Sequence, residues 1–126
     1  VARLEKMRLR YAGRAEFLYV YIKEAHPEDE WQMGSNEEDG VLYRQPQTLE
    51  ERRALAQEFI ATMDVATTTL VDDIQNTANA CYAAWPERIY VIDTEGRIAY
   101  KGGMGPFLFD PDELDEFLDE MVGAPA

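Results

Sequence analysis

The chain has a single cysteine, Cys81, among 126 residues. An internal disulfide is therefore excluded, as are a CxxC redox pair and a cysteine-rich zinc site. It also has a single histidine, His26. Basic residues are scarce: 12 Lys and Arg stand against 25 Asp and Glu, a formal net charge of -13. Such a surface repels nucleic-acid backbones and anionic membranes, so neither is expected as a partner. No apolar run approaches the ~20 residues of a membrane span. The opening "VARLEKMRLRY" is amphipathic and charged, unlike a signal peptide, and a cytoplasmic location is expected. What remains suits one globular domain over residues 1–126. Hydrophobic residues make up 46% and charged residues 29%, a composition that packs a core rather than staying disordered. A chain this long buries roughly two-thirds of its unfolded surface.

Val1, Leu4, Met7, Leu9 and Tyr11 recur mostly at helical spacing and predict a helix over residues 2–12, stopped near Gly13. "EFLYVYI" reads as a strand buried on both faces. Residues 23–47 lack periodicity, and a segment of that length in a compact domain is often functional. Thr48 and Glu51 form a capping box that opens the helix "LEERRALAQEFIATM", with Leu49, Ala54, Phe59 and Ile60 as its apolar stripe. "ATTTLVDD" reads as a short strand, and "IQNTANACYAAW" as a helix closed by Pro86. "RIYVIDTEGRIAYKG" reads as a hairpin turning at Gly96. Asp110 caps the last helix, Pro111 takes its first position, and Leu114, Phe117, Leu118 and Met121 form its stripe. The tail "GAPA" is expected to fray. The order is an α/β layer arrangement that lacks a strand before the first helix.

The histidine stands where the first strand ends, in "YIKEAHPEDEW", among Glu24, Glu28, Asp29 and Glu30. Two readings are open: a solvated acidic loop, or one side of an active site. Histidine transfers protons near neutral pH, and a neighbouring carboxylate orients the ring and raises its pKa. Glu24 and His26 are two apart, so an extended backbone points both the same way. Asp72 and Asp73 follow a strand and read first as caps. A single histidine with carboxylates matches no metal-binding loop spacing, and no metal is expected. Cys81, inside an expected helix, reads as a small buried hydrophobe. Pro86 either ends a helix and opens a strand or is a cis proline at a sharp turn.

Three separated motifs carry a resemblance. "WPERIYVID", with its proline just before a strand, resembles the redoxins, thioredoxin-fold proteins of the peroxiredoxin type. "VYIKEAHPEDEW", "NTANACYAAWPER" and "YKGGMGP" together resemble the iodothyronine deiodinases, in the same order and at compatible spacings. The resemblance implies a thioredoxin-like mixed sheet flanked by helices, with Pro86 cis beside the reactive group. It implies an oxidoreductase that removes iodine reductively from an aromatic ring. Tyr21, Glu24 and His26 match the proton-relay positions. Pro86, Arg88, Gly102, Gly103 and Met104 match positions that shape the site or bind substrate. No bound cofactor is implied; an external thiol reductant is. A homodimer is common in the family.

The sequence departs from the family in two places. The variable position of "GGxGP" is basic in vertebrate members and is Met104 here, which suits apolar surface better than a carboxylate. The family's nucleophile, a selenocysteine or cysteine, follows a first central strand that has no match in this chain. The expectation is an N-terminally truncated chain whose nucleophile lies upstream of Val1. A selenocysteine codon read as a stop, with a restart at an alternative Val start codon, would produce such a beginning. Two other readings share the scaffold: a peroxidase or thiol oxidoreductase acting on peroxide, and a non-catalytic thioredoxin-like binding module.

Overall fold

The computed structural model describes residues 1–24, 45–105 and 107–123. Most of the expected loop at 23–47 and the tail beyond Gly123 lie outside the described residues. The elements run α1 (Ala2–Arg10), β1 (Leu18–Tyr21), α2 (Leu49–Met63), β2 (Thr68–Val71), α3 (Thr77–Tyr82), β3 (Tyr90–Ile92), β4 (Ile98–Lys101) and α4 (Pro111–Val122). β1 pairs with β2 in parallel, with α2 between them in the chain, and β3 pairs with β4 as an antiparallel hairpin. Among the described residues these are two separate two-stranded sheets.

A two-stranded sheet is marginal in water without a packed face. The hairpin obtains one from a buried cluster, which touches the parallel pair only at its entrance. Met7 and Tyr11 of the first helical segment meet Leu114 and Leu118 of α4, all buried. Phe17, just before β1, packs on this cluster, and so do Ile89, Val91 and Tyr100 of the hairpin region. Tyr11 is fully buried, and its hydroxyl donates to the Asp115 carboxylate at 2.6 Å. Burial and the neighbouring Asp115 push the phenol up to about 12.

The capping chemistry follows the sequence. Asp110 Oδ1 accepts from the amides of Asp112 and Glu113 at 3.0 and 3.2 Å, with Pro111 inside the first turn. Thr48 accepts from the Glu51 amide at 3.2 Å. The Glu51 carboxylate reaches back past the cap to the Gln47 amide at 2.7 Å. In the hairpin turn, Asp93 Oδ1 accepts from Glu95 and Arg97, and Gly96 takes the left-handed φ of 83° that the turn needs.

Four expectations are corrected. α1 ends at Arg10, because Tyr11 caps it and its carbonyl accepts from Arg14 and Ala15 in the turn that follows. β1 is not buried on both faces: Leu18 is 58% and Val20 45% exposed. Its side chains alternate, and no described layer covers the Leu18–Val20 face. On α2, Ala54 is exposed; the buried positions are Arg52 and Ala56, with Phe59 and Ile60 half-buried. The expected helix over 74–85 shrinks to six residues, closed at both ends by residues in the left-handed region, Asn76 and Ala83.

Glu5 joins α1 to the parallel sheet. Its carboxylate accepts from the Tyr19 hydroxyl at 2.8 Å, from the amides of Ala66 and Thr67 at 2.6 and 3.2 Å, and from the Thr67 hydroxyl. Burial alone would raise its pKa, but the hydrogen bonds from Thr67, Ala66 and Tyr19 outweigh it and bring the carboxyl from the ordinary 4.5 to about 2. A depressed folded-state pKa means stability present above the unfolded value and lost as pH falls toward the folded one. Glu5→Gln should therefore lower the melting temperature by several degrees at pH 7. The gap to the parent should close between pH 4.5 and 2, read by thermal denaturation across that range.

Candidate active site at the end of the first strand

Tyr21 is the last residue of β1. Its ring packs on Phe59 of α2, with centroids 5.6 Å apart. Its hydroxyl donates to the Glu24 carboxylate. The Glu24 backbone is pinned on both sides. Its amide donates to Gln45 Oε1 at 3.1 Å, and its carbonyl accepts from Gln45 Nε2 and from the Trp85 indole, each at 3.4 Å. Burial pushes the Glu24 carboxyl above its ordinary range, while the Tyr21 hydrogen bond and the positive charge of Arg52 pull it back. The result is a carboxyl that keeps its proton closer to neutral pH than an exposed glutamate does. His26 lies outside the described residues.

The segment 85–88 connects this corner to the "GGMGP" loop. The Trp85–Pro86 bond is cis. The Trp85 amide donates to Asn79 Oδ1 at 2.8 Å, and its ring carries the Lys23 ammonium 5.9 Å above the centroid. The Glu87 carbonyl accepts from the Gly105 amide at 2.9 Å. Arg88 donates from Nε to the Gly102 carbonyl at 2.8 Å and from Nη1 to the Ala83 carbonyl at 3.1 Å. Gly103 lies against Leu108 so closely that an added Cβ would stand 2.3 Å from the leucine Cβ. Met104 is exposed, and Phe107 at 96% and Leu108 at 66% are still more so. This loop therefore presents apolar side chains.

Tyr21 and Glu24 are thus in direct contact, and Arg88 and Gly102 are in direct contact. Among the described residues, the link between the two pairs runs through Trp85, Pro86 and Glu87. Asp72 and Asp73 are caps, as expected. The buried Asp72 carboxylate accepts from the amides of Asp73, Ala78 and Asn79, and Asp73 accepts from the amide and hydroxyl of Thr77. Cys81 is exposed, not buried. The reason is local: α3 has no buried residue and runs along the surface. Sequence reasoning did not single out Gln45 or Arg52. Nothing in the sequence marks Gln45. The signal for Arg52 was its spacing, four before Ala56 and seven before Phe59 on one helical face.

The iodothyronine deiodinase family model matches residues 1–122. A type I iodothyronine deiodinase of Xenopus laevis is 37% identical over 106 residues, 84% of this chain and 40% of that protein. A thyroxine 5-deiodinase of Sparus aurata is 35% identical over 122 residues, 95% of this chain and 43% of that protein. A type II iodothyronine deiodinase of Homo sapiens is 32% identical over 112 residues, 87% of this chain and 41% of that protein. The chain spans about two-fifths of the length of these relatives. Among the described residues, no helix is long and apolar enough to cross a membrane.

Two outcomes follow from the geometry. A raised carboxyl pKa gives stability that is complete below the unfolded-state value and is lost as pH rises through the folded-state one. Glu24→Gln should therefore remove that loss. The variant should match or exceed the parent's stability at pH 8 and gain relative to it from pH 4 upward, as measured by urea denaturation. Gly103→Ala must displace the backbone around Leu108, at a cost of about 1–3 kcal/mol, seen as a lower denaturation midpoint.

Proposed function

The chain belongs to the iodothyronine deiodinase family, and from that premise we propose that it carries the proton-handling part of a reductive dehalogenase. The observation that carries this reading is the half-buried Glu24 carboxyl, held by Tyr21 at the end of a strand and inclined to keep a proton. Reductive dehalogenation needs one. A selenolate or thiolate attacks the iodine, the electron pair of the carbon–iodine bond passes to the ring carbon, and that carbon takes up a proton. Tyr21, Glu24 and His26 form the relay that delivers it, since groups with pKa values near the working pH transfer protons most effectively. Two equivalents of an external thiol then release iodide and a disulfide and restore the selenol or thiol.

The halogen acceptor is placed in a part of the protein N-terminal to these residues; Cys81, exposed on a surface helix, is not assigned that role. We read the α/β arrangement as thioredoxin-like. The parallel pair, the antiparallel hairpin and the helix pair that both lean on support a further central strand between β1 and β3. Pro86 and Arg88 shape the turn, and Gly102 and Gly103 let it close tightly. Met104, with Phe107 and Leu108 beside it, favours an uncharged iodinated phenol over a substrate bearing a carboxylate. The -13 net charge acts in the same direction.

The test starts with the DNA upstream of the Val1 codon, where a strand-coding stretch and a selenocysteine or cysteine codon are expected in frame. Protein expressed from the complete gene should release iodide from iodophenols with dithiothreitol as reductant. It should act on them in preference to hydroperoxides. His26→Ala should lower that rate by about 10²–10⁴-fold, the range of general acid–base contributions. Full activity in this variant would refute the relay. Peroxide reduction without iodide release would favour the peroxidase reading.

A further inference from the structure

The inward face of α2 carries a charge where an apolar side chain would ordinarily pack. Arg52 is 1% exposed. Its Nη1 donates to the carbonyls of Asp72 and Asp73, and its Nη2 donates to Asn76 Oδ1 at 2.8 Å. Its Nε is buried and has no hydrogen-bond partner among the described residues. Every acceptor is neutral, and among the described residues no carboxylate lies within ion-pair distance of it. A guanidinium cannot shed its proton to escape burial. The guanidinium is thus held inside by neutral oxygens rather than by a direct ion pair among the described residues.

The nearby carboxylates are engaged elsewhere. Asp72 is taken up by three backbone amides and Asp73 by Thr77. From Arg52 a continuous path of contacts leads to the candidate site. Arg52 holds the Asp72 carbonyl, the Asp72 amide donates to the Tyr21 carbonyl at 2.9 Å, and the Tyr21 hydroxyl donates to Glu24. Tyr21 also packs on Phe59, two turns along from Arg52 on the same helix.

We propose that Arg52 is a positioning residue for Glu24: a fixed buried cation that clamps the end of β2 to α2 and sets the charge state of the carboxyl that Tyr21 holds. Its place in catalysis rests on the relay reading above. Of the described groups around Glu24, β1 and its extension supply the Tyr21 hydroxyl and Lys23, whose ammonium lies over the Trp85 ring instead. The turn after β2 supplies Asp72 and Asp73, and segment 85–88 supplies the neutral Trp85 indole. Arg52 is then the cation that opposes the effect of burial on Glu24, and its charge acts on that carboxyl in that direction.

The test is a carbon-detected NMR titration of the Glu24 carboxyl in protein from the complete gene. Arg52→Gln should raise the midpoint measurably, and Arg52→Lys should restore most of it. Should Arg52→Gln fail to fold, Asn76→Asp leaves the arginine in place and puts an anion on its Nη2; the midpoint should again rise. An unchanged midpoint in a folded Arg52→Gln or Asn76→Asp protein overturns the inference. In the dehalogenation assay, the Arg52→Gln pH–rate profile should move by the same displacement. A uniform loss at all pH values, with no displacement, would mark a purely structural role and overturn it. If Glu24→Gln is inactive while the midpoint is insensitive to Arg52, this inference alone fails. If Glu24→Gln keeps full activity, the relay reading fails, and with it the place of Arg52 in the reaction.

Discussion

α1 is held on two sides, and the rest of the fold depends on that. On one side Glu5 gathers four donors from β1 and from the segment entering β2. On the other, Tyr11 enters the core and bonds Asp115 of α4, while Met7 packs on Leu114 and Leu118. Neither two-stranded sheet has enough paired edges or covered faces to stand alone. Both lean on this helix pair, the hairpin through Ile89, Val91 and Tyr100, the parallel pair through Phe17 and Glu5. The Tyr100 hydroxyl adds a bond to Glu113, and its ring lies 5.1 Å from that of Phe117.

With the scaffold held in this way, the candidate site is built where strands end and loops begin. β1 delivers Tyr21, and the next three residues bring Glu24 back to its hydroxyl. Gln45 and Trp85 then fix the Glu24 backbone from two other parts of the chain. These are polar contacts in a half-buried corner, where each unmade hydrogen bond is costly and each made one specifies geometry. The same corner holds a buried arginine and a buried aspartate whose partners are backbone groups. Such an arrangement stores charge at fixed positions and leaves little room for alternative packings.

Much of this was legible beforehand. Thr48, Asp110 with Pro111, and Gly96 announce local geometry through local chemistry, because a cap or a turn is decided within four residues. The family was legible because three motifs stood in order. Tyr21 and Glu24 were singled out by their places in a motif, but the contact between them came from the structure. The exposed face of β1 was not legible. "FLYVY" is apolar throughout, and apolarity states what a side chain prefers, not whether another layer covers it. Arg52 was misread in favour of Ala54 for a similar reason. A stripe chosen by hydrophobicity overlooks a charge whose burial is made tolerable by carbonyls twenty residues away. Cys81 was misplaced because its helix is too short to have an inner face.

By itself the sequence determined the element types, the caps, the hairpin, the family and the residues at which proton chemistry is expected. Each of those rests on neighbours within a few positions or on a motif read whole. The tertiary structure decided which faces are covered, that the core packs on the hairpin and meets the parallel pair at Phe17, that Trp85 and Gln45 clamp Glu24, and that the charge at Arg52 lies inside. Those depend on contacts between residues 20 to 105 positions apart. Burial and Coulomb interactions act through space, so no local reading of the chain contains them.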